Sequence, residues 1–123
     1  MVKIFDLVAA RTGLRDNEAQ AAGYDPLTID VETWDHKVYY PGAKHLRIRI
    51  TGDRKTQKLL GVQIIGHHGS EISKRVDVIA AALFNDMKMD ELSDLDLTYT
   101  PPLSSPWDPL QLASHEWLRT FNI

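Results

Sequence analysis

The chain contains no cysteine, which removes disulfides, thiolate-metal sites and thiol nucleophiles together. Its glycines, at 13, 23, 42, 52, 61, 66 and 69, never form G-x-G-x-x-G, so no helix N-terminus is prepared to receive a dinucleotide pyrophosphate. No apolar run approaches the roughly 20 residues that span a bilayer. The opening Met1-Val2-Lys3-Ile4 lacks signal-peptide architecture, so a cytoplasmic address without a membrane partner is expected. A net charge of -3 leaves no cationic excess for a phosphate backbone, and Arg47, Arg49, Arg54, Lys55 and Lys58 are spread over strands and a turn. Nucleic acid is therefore not an expected partner.

What is present fits one domain. At 123 residues, 43% hydrophobic and 25% charged, the chain can bury a single core and no more. Ile4, Leu7, Val8 and Ala10 fall near helical spacing, so Val2 to Arg11 is predicted as a helix capped by Gly13. A short second helix is predicted from an Asp16 N-cap to Ala22, ended by Gly23. The period then shortens to two: Ile29, Val31 and Thr33 alternate with polar residues, as do Leu46, Ile48 and Ile50. Leu59 to Ile65 reads as a central strand, joined to its predecessor through Thr51-Gly52-Asp53. Ile72, Val76, Ile79, Ala80 and Leu83 form one helical stripe with Ser70 as N-cap. Further helices are predicted over Met89 to Ser93 and from about Asp108 to Phe121. The fold class is α+β, a two-layer sandwich of an antiparallel sheet with helices packed on one face.

The segment Asp94 to Leu112 is the most distinctive. Thr100 precedes Pro101, Pro101 precedes Pro102, and Ser105 precedes Pro106, so much of the loop is biased to extended conformations. Such a loop loses little entropy on ordering and can carry Tyr99 beyond its own domain surface. Together with Ile4-Phe5-Asp6-Leu7, Arg11-Thr12-Gly13-Leu14, Tyr39-Tyr40-Pro41-Gly42, Leu60 to Gly66 and Lys74-Arg75-Val76-Asp77, this segment resembles the C-terminal dimerisation domain of the pyridine nucleotide-disulfide oxidoreductases. The likeness is to the coenzyme A-disulfide reductase and NADH oxidase branch and runs to about Leu112. Gly66 to Lys74 departs from that branch by about two extra residues, which leaves the substrate open.

The resemblance implies that residues 1–123 are a single dimerisation domain, the C-terminal part of a larger flavoenzyme. It implies a homodimer, and FAD- and NAD(P)H-binding domains elsewhere in the parent, with no cofactor expected on this chain and no activity from it alone. It also implies that Tyr99 enters the partner subunit's active site, where the glutathione reductase-like branch uses a histidine. One of Tyr39 and Tyr40 is implied to join it; Tyr40 is favoured and Tyr39 stays open. A phenol of pKa near 10 remains protonated at neutral pH, whereas a departing thiolate has a pKa near 8.5. Hydrogen-bond donation is the less demanding role, and full proton transfer needs a neighbour that lowers the phenol pKa.

Other constellations read more simply as structure. His67 and His68 are adjacent, and side chains of an extended backbone alternate sides, so no metal is expected. His115 and Glu116 do not share a helix face and make no dyad. Trp34 and Trp107 read as packing residues, Trp107 also as an interface anchor. Ser104, Ser105 and Asp108 cap a helix more readily than they build a hydrolase. The alternative function is a freestanding homodimeric binding module with the same fold; a metal-dependent hydrolase using His67 or His68 is a third.

Overall fold

In the computed structural model, which describes residues 1–123, five strands form one antiparallel sheet in the order β1-β2-β5-β4-β3. They are β1 (Val2–Ile4), β2 (Leu7–Gly13), β3 (Pro26–Trp34), β4 (His45–Asp53) and β5 (Leu59–His67). The helices are α1 (Asp16–Ala21), α2 (Ile72–Phe84), α3 (Met89–Ser93) and α4 (Pro109–Phe121). The predicted α+β sandwich is what forms. Period-two alternation puts Val8 and Ala10 of β2, Leu46, Ile48 and Ile50 of β4, and Val62 and Ile64 of β5 on one face. Against that face pack Ile72, Val76, Ile79 and Ala82 of α2, Met89 and Leu92 of α3, and Leu110, Ala113 and Trp117 of α4. Short α1 leans on β3, where the Thr28 hydroxyl donates to Asp16 at 2.8 Å.

The other face of the sheet is charged over β3 and β4, with Arg49 forked onto Asp30 at 2.7 and 3.0 Å and Arg47 paired with Glu32, and apolar over β2 and β5, where Leu7 and Ile65 are exposed. The exposed ion pairs contribute little to stability.

Several boundaries differ from the sequence expectation. The predicted first helix is instead the β1-β2 hairpin, turned at Phe5, whose φ is +53°. A continuous ladder from β2 to β5 satisfies this backbone and buries Val8 and Ala10, so tertiary pairing overrides the helical spacing. Gly13 is consequently a strand end rather than a helix cap. Its φ is +75°, and a Cβ there would lie 2.3 Å from the Leu60 carbonyl oxygen. Arg15, one residue earlier than expected, N-caps α1.

Gly52 and Asp53 stay in β4, and the turn lies at residues 54–57. There the Asp53 carboxylate accepts from the Lys55 and Asp25 backbone N–H groups and the Thr56 hydroxyl. Burial alone would raise its pKa, but the Thr56 hydroxyl and the backbone donors more than offset it, and the net shift is downward. Ser70 does not cap α2. Glu71, in the left-handed region at φ +56°, holds the cap position while the Ser70 hydroxyl turns inward to Asp35.

Candidate functional site

Two loops at one end of the sandwich carry the tyrosines. Residues 35–44, between β3 and β4, carry Tyr39 and Tyr40, and residues 94–108, between α3 and α4, carry Tyr99. Within the first loop the Tyr40 N–H closes a turn on the Lys37 carbonyl at 3.0 Å, and Gly42 at φ +87° takes the position after Pro41 that requires a positive φ. In the second loop the prolines do not extend the chain as expected. Pro101 and Pro102 form a turn in which the Thr100 carbonyl accepts from the N–H groups of Leu103 and Ser104, both at 3.0 Å. Proline's fixed φ near -65° suits a turn as well as an extended strand. Tyr99 is placed immediately before that reversal.

The two loops are stitched to each other. The Lys37 N–H donates to the Ser104 carbonyl at 3.2 Å. Below this stitch lies the buried guanidinium of Arg75, 1% exposed, which donates to the backbone carbonyls of Ser70 and Asp35, the latter at 2.9 Å, and lies 3.4 Å from the Asp108 carboxylate. Asp108 in turn accepts from the Ser104 hydroxyl at 3.1 Å and caps α4 through the Leu110 N–H at 3.0 Å. Asp35 accepts from the Ser70 hydroxyl at 2.7 Å and from the Lys44 N–H at 3.0 Å. Every buried side-chain polar atom is satisfied.

Above this floor the aromatic side chains face outward. Tyr99 is 43% exposed, Tyr39 68% and Tyr40 41%, with Val38, Leu103 and Trp107 of the same loops also exposed. The Tyr39 and Tyr40 rings lie 6.0 Å apart. Partial burial, and after it the hydroxyl and incipient charge of Tyr39, hold the Tyr99 phenol above its ordinary pKa of 10.0. Within the chain, the tyrosine hydroxyl that bears on Tyr99 is that of Tyr39. This neighbour raises the phenol pKa, where proton transfer would require it to be lowered.

The remaining candidates separate by contact. His115 meets the Trp107 ring edge-on at 4.7 Å, while Glu116 pairs with Arg119, so the two are engaged apart. Trp34 lies against His45 at 3.8 Å. His67 and His68 do not point to opposite sides. β5 ends between them, their rings lie 4.2 Å apart, and Asp6 completes a cluster whose ligand atoms lie within 4.8 Å of one another. The ring chemistry does not suit a metal. His67 Nδ1 accepts from the Gly69 N–H at 3.0 Å, which puts the ring proton on Nε2, whereas a metal-binding imidazole donates through its second nitrogen.

Of the two long helices, α4 has its first N–H groups capped by the Asp108 carboxylate, and α2 follows Glu71, whose carboxylate pairs with Lys74. No helix is long and apolar enough to cross a membrane.

The network residues Arg75, Asp35, Ser70 and Ser104 were not singled out from sequence as parts of a site. For Arg75 a signal existed: three residues after Ile72, it is a cation inside the apolar stripe of α2.

Comparison with known proteins gives a consistent picture. Residues 1–109 match the pyridine nucleotide-disulphide oxidoreductase dimerisation domain. The coenzyme A disulfide reductase of Staphylococcus epidermidis is 32% identical over 116 residues, 94% of this chain and 26% of that protein. The NAD(P)H sulfur oxidoreductase (CoA-dependent) of Pyrococcus abyssi is 36% identical over 110 residues, 89% of this chain and 24% of that protein. The chain thus spans about a quarter of the length of these relatives. Among solved structures, an NAD-dependent persulfide reductase from A. fulgidus superposes with a TM-score of 0.92 at 32% identity, covering 98% of this chain and 22% of that one.

Proposed function

Because the chain belongs to the dimerisation-domain family of the pyridine nucleotide-disulphide oxidoreductases, we propose that it joins two subunits of a larger FAD- and NAD(P)H-dependent reductase and lends Tyr99 to the opposite subunit's site. Tyr39 accompanies it, with Tyr40 completing the aromatic rim. The observation that carries this reading is the outward aromatic patch of Tyr39, Tyr40, Tyr99, Leu103 and Trp107, built on two loops that share one buried floor. Monomers seldom leave such a patch without use, and tyrosine and tryptophan are favoured anchors of interfaces. The names of its relatives, a coenzyme A disulfide reductase, a CoA-dependent sulfur oxidoreductase and a persulfide reductase, support a substrate among coenzyme A disulfides, persulfides and sulfur.

In that role the parent's flavin and nicotinamide supply the electrons, and this chain's residues supply orientation and a hydrogen bond. A phenol held above 10.0 stays protonated at neutral pH and donates to a sulfur that gains negative charge. Complete transfer to a thiolate of pKa about 8.5 is uphill from such a phenol, so donation rather than protonation is the contribution of Tyr99. Without the nucleotide-binding domains the chain is inactive, and a cytoplasmic address suits reduction of disulfides to thiols.

The test is Tyr99→Phe in the full-length enzyme. The substitution keeps the ring and removes one donor. The sulfur-reducing half-reaction is expected to slow by about 10- to 100-fold, as for loss of one hydrogen bond to developing charge, with flavin reduction by NAD(P)H unchanged. Equal rates in both half-reactions would reduce Tyr99 to a packing residue.

A further inference from the structure

The geometry points to Arg75 as the positioning residue for the tyrosine pair, a buried guanidinium that fixes the loop carrying Tyr39 against the loop carrying Tyr99. A cation in the apolar stripe of a helix needs a reason, since a buried ion pair replaced by well-packed apolar residues often leaves stability unchanged or improved. Here the reason is connectivity. Arginine offers five donors in a fixed planar fork, and Arg75 uses them on three separate pieces of chain. One is the Ser70 carbonyl at the entry to α2, one the Asp35 carbonyl at the root of the first tyrosine loop, and one the Asp108 carboxylate at the root of the second.

From each root a short path leads to a tyrosine. Asp108 accepts from the Ser104 hydroxyl, and the Ser104 N–H closes the proline turn onto the Thr100 carbonyl, the residue after Tyr99. Asp35 holds the far end of its loop through the Lys44 N–H, and Lys37 both donates to the Ser104 carbonyl and accepts from the Tyr40 N–H. The guanidinium touches no tyrosine. It sets the relative placement of the two backbones, so that the loops bearing Tyr39 and Tyr99 are held together before any partner arrives. A lysine at this position keeps the charge but has neither the planarity nor the reach to serve three acceptors.

The catalytic consequence of this placement rests on the function proposed above; the placement itself does not. The experiment therefore reads the two loops directly, by nuclear magnetic resonance on the 123-residue chain carrying Arg75→Lys, Arg75→Met or Asp108→Asn. Asparagine at 108 still caps α4 but turns a donor toward the guanidinium, and it decides the matter if the Arg75→Met chain does not fold. We expect the contact between the two loops at Lys37 and Ser104 to be lost in Arg75→Met and Asp108→Asn and weakened in Arg75→Lys. Amide protection at Lys37 and Ser104 should fall by more than about tenfold, as for losing one charge-assisted hydrogen bond, with β4 and β5 protection unchanged. A loop contact and loop protection that survive in a folded Arg75→Met or Asp108→Asn chain would overturn the assignment. Loss of the loop contact together with unchanged half-reactions in the Tyr99→Phe enzyme would leave the positioning role standing and remove the proposed function instead.

Discussion

At Tyr99 two environments act in the same direction, since partial burial and the adjacent Tyr39 hydroxyl both disfavour the phenolate. Tyr39→Phe removes the second cause and leaves the first, so the Tyr99 titration midpoint should fall back toward 10.0, read by phenolate absorbance or ring chemical shifts. An unmoved midpoint would mean that the two hydroxyls do not interact. The sign for stability follows. The folded-state pKa is raised, so its contribution is complete below pH 10 and is lost as pH rises through the folded value. Tyr39→Phe should blunt that alkaline loss. Tyr99 could be picked out in the sequence because prolines announce a constrained loop. Its neighbour could not, because which of two adjacent tyrosines bears on Tyr99 depends on how the Lys37–Tyr40 turn is tied to the Ser104 carbonyl, a tertiary contact.

Among the elements, the strands β3, β4 and β5 and the helices α3 and α4 were legible because each has a single period bounded by turn or capping residues. The β1-β2 hairpin was not. Ten residues with apolar positions at 4, 7, 8 and 10 satisfy a helical spacing almost as well as an alternating one, and only the partner strand β5 decides between them. The β2-β5 pairing also depends on a missing side chain. A Cβ on Gly61 would lie 2.2 Å from the Leu14 carbonyl oxygen, so Gly61→Ala should cost about 3 kcal/mol, measurable as a lower urea midpoint. At the opposite side of the core, Trp117 is fully buried, stacks on Phe121 at 5.2 Å and donates to the Leu27 carbonyl at 2.8 Å. Trp117→Ala should cost about 3–5 kcal/mol.

Helix α1 has a separate acid dependence. Backbone and side-chain hydrogen bonds from Arg15 pull the Glu18 pKa from 4.5 down to about 2, against a small opposing effect of burial. A depressed folded-state pKa contributes stability above 4.5 that disappears as pH falls toward about 2. Glu18→Gln should therefore lower the thermal midpoint near neutrality and make no difference at the acid end. An equal loss at both ends would contradict the assignment.

For the whole molecule, fold and family follow from the order of short motifs, none of them decisive alone, and from a sheet whose one apolar face is covered by α2, α3 and α4. The floor beneath the tyrosines was harder to read. Asp35, Ser70, Arg75, Ser104 and Asp108 are scattered over 74 positions of sequence, and nothing local marks their convergence. That convergence is what turns two surface loops into one presenting surface. The central claim is that Tyr99 acts on the other subunit, and hybrid dimers of the full-length enzyme address it most directly. One subunit carries Tyr99→Phe; the other keeps Tyr99 and has its own FAD-binding domain inactivated by substitution. Donation across the twofold axis leaves one complete site in each hybrid, so activity should recover to about half that of the unmodified dimer. Activity no higher than that of the Tyr99→Phe homodimer would show that each tyrosine serves its own subunit, and would contradict the account.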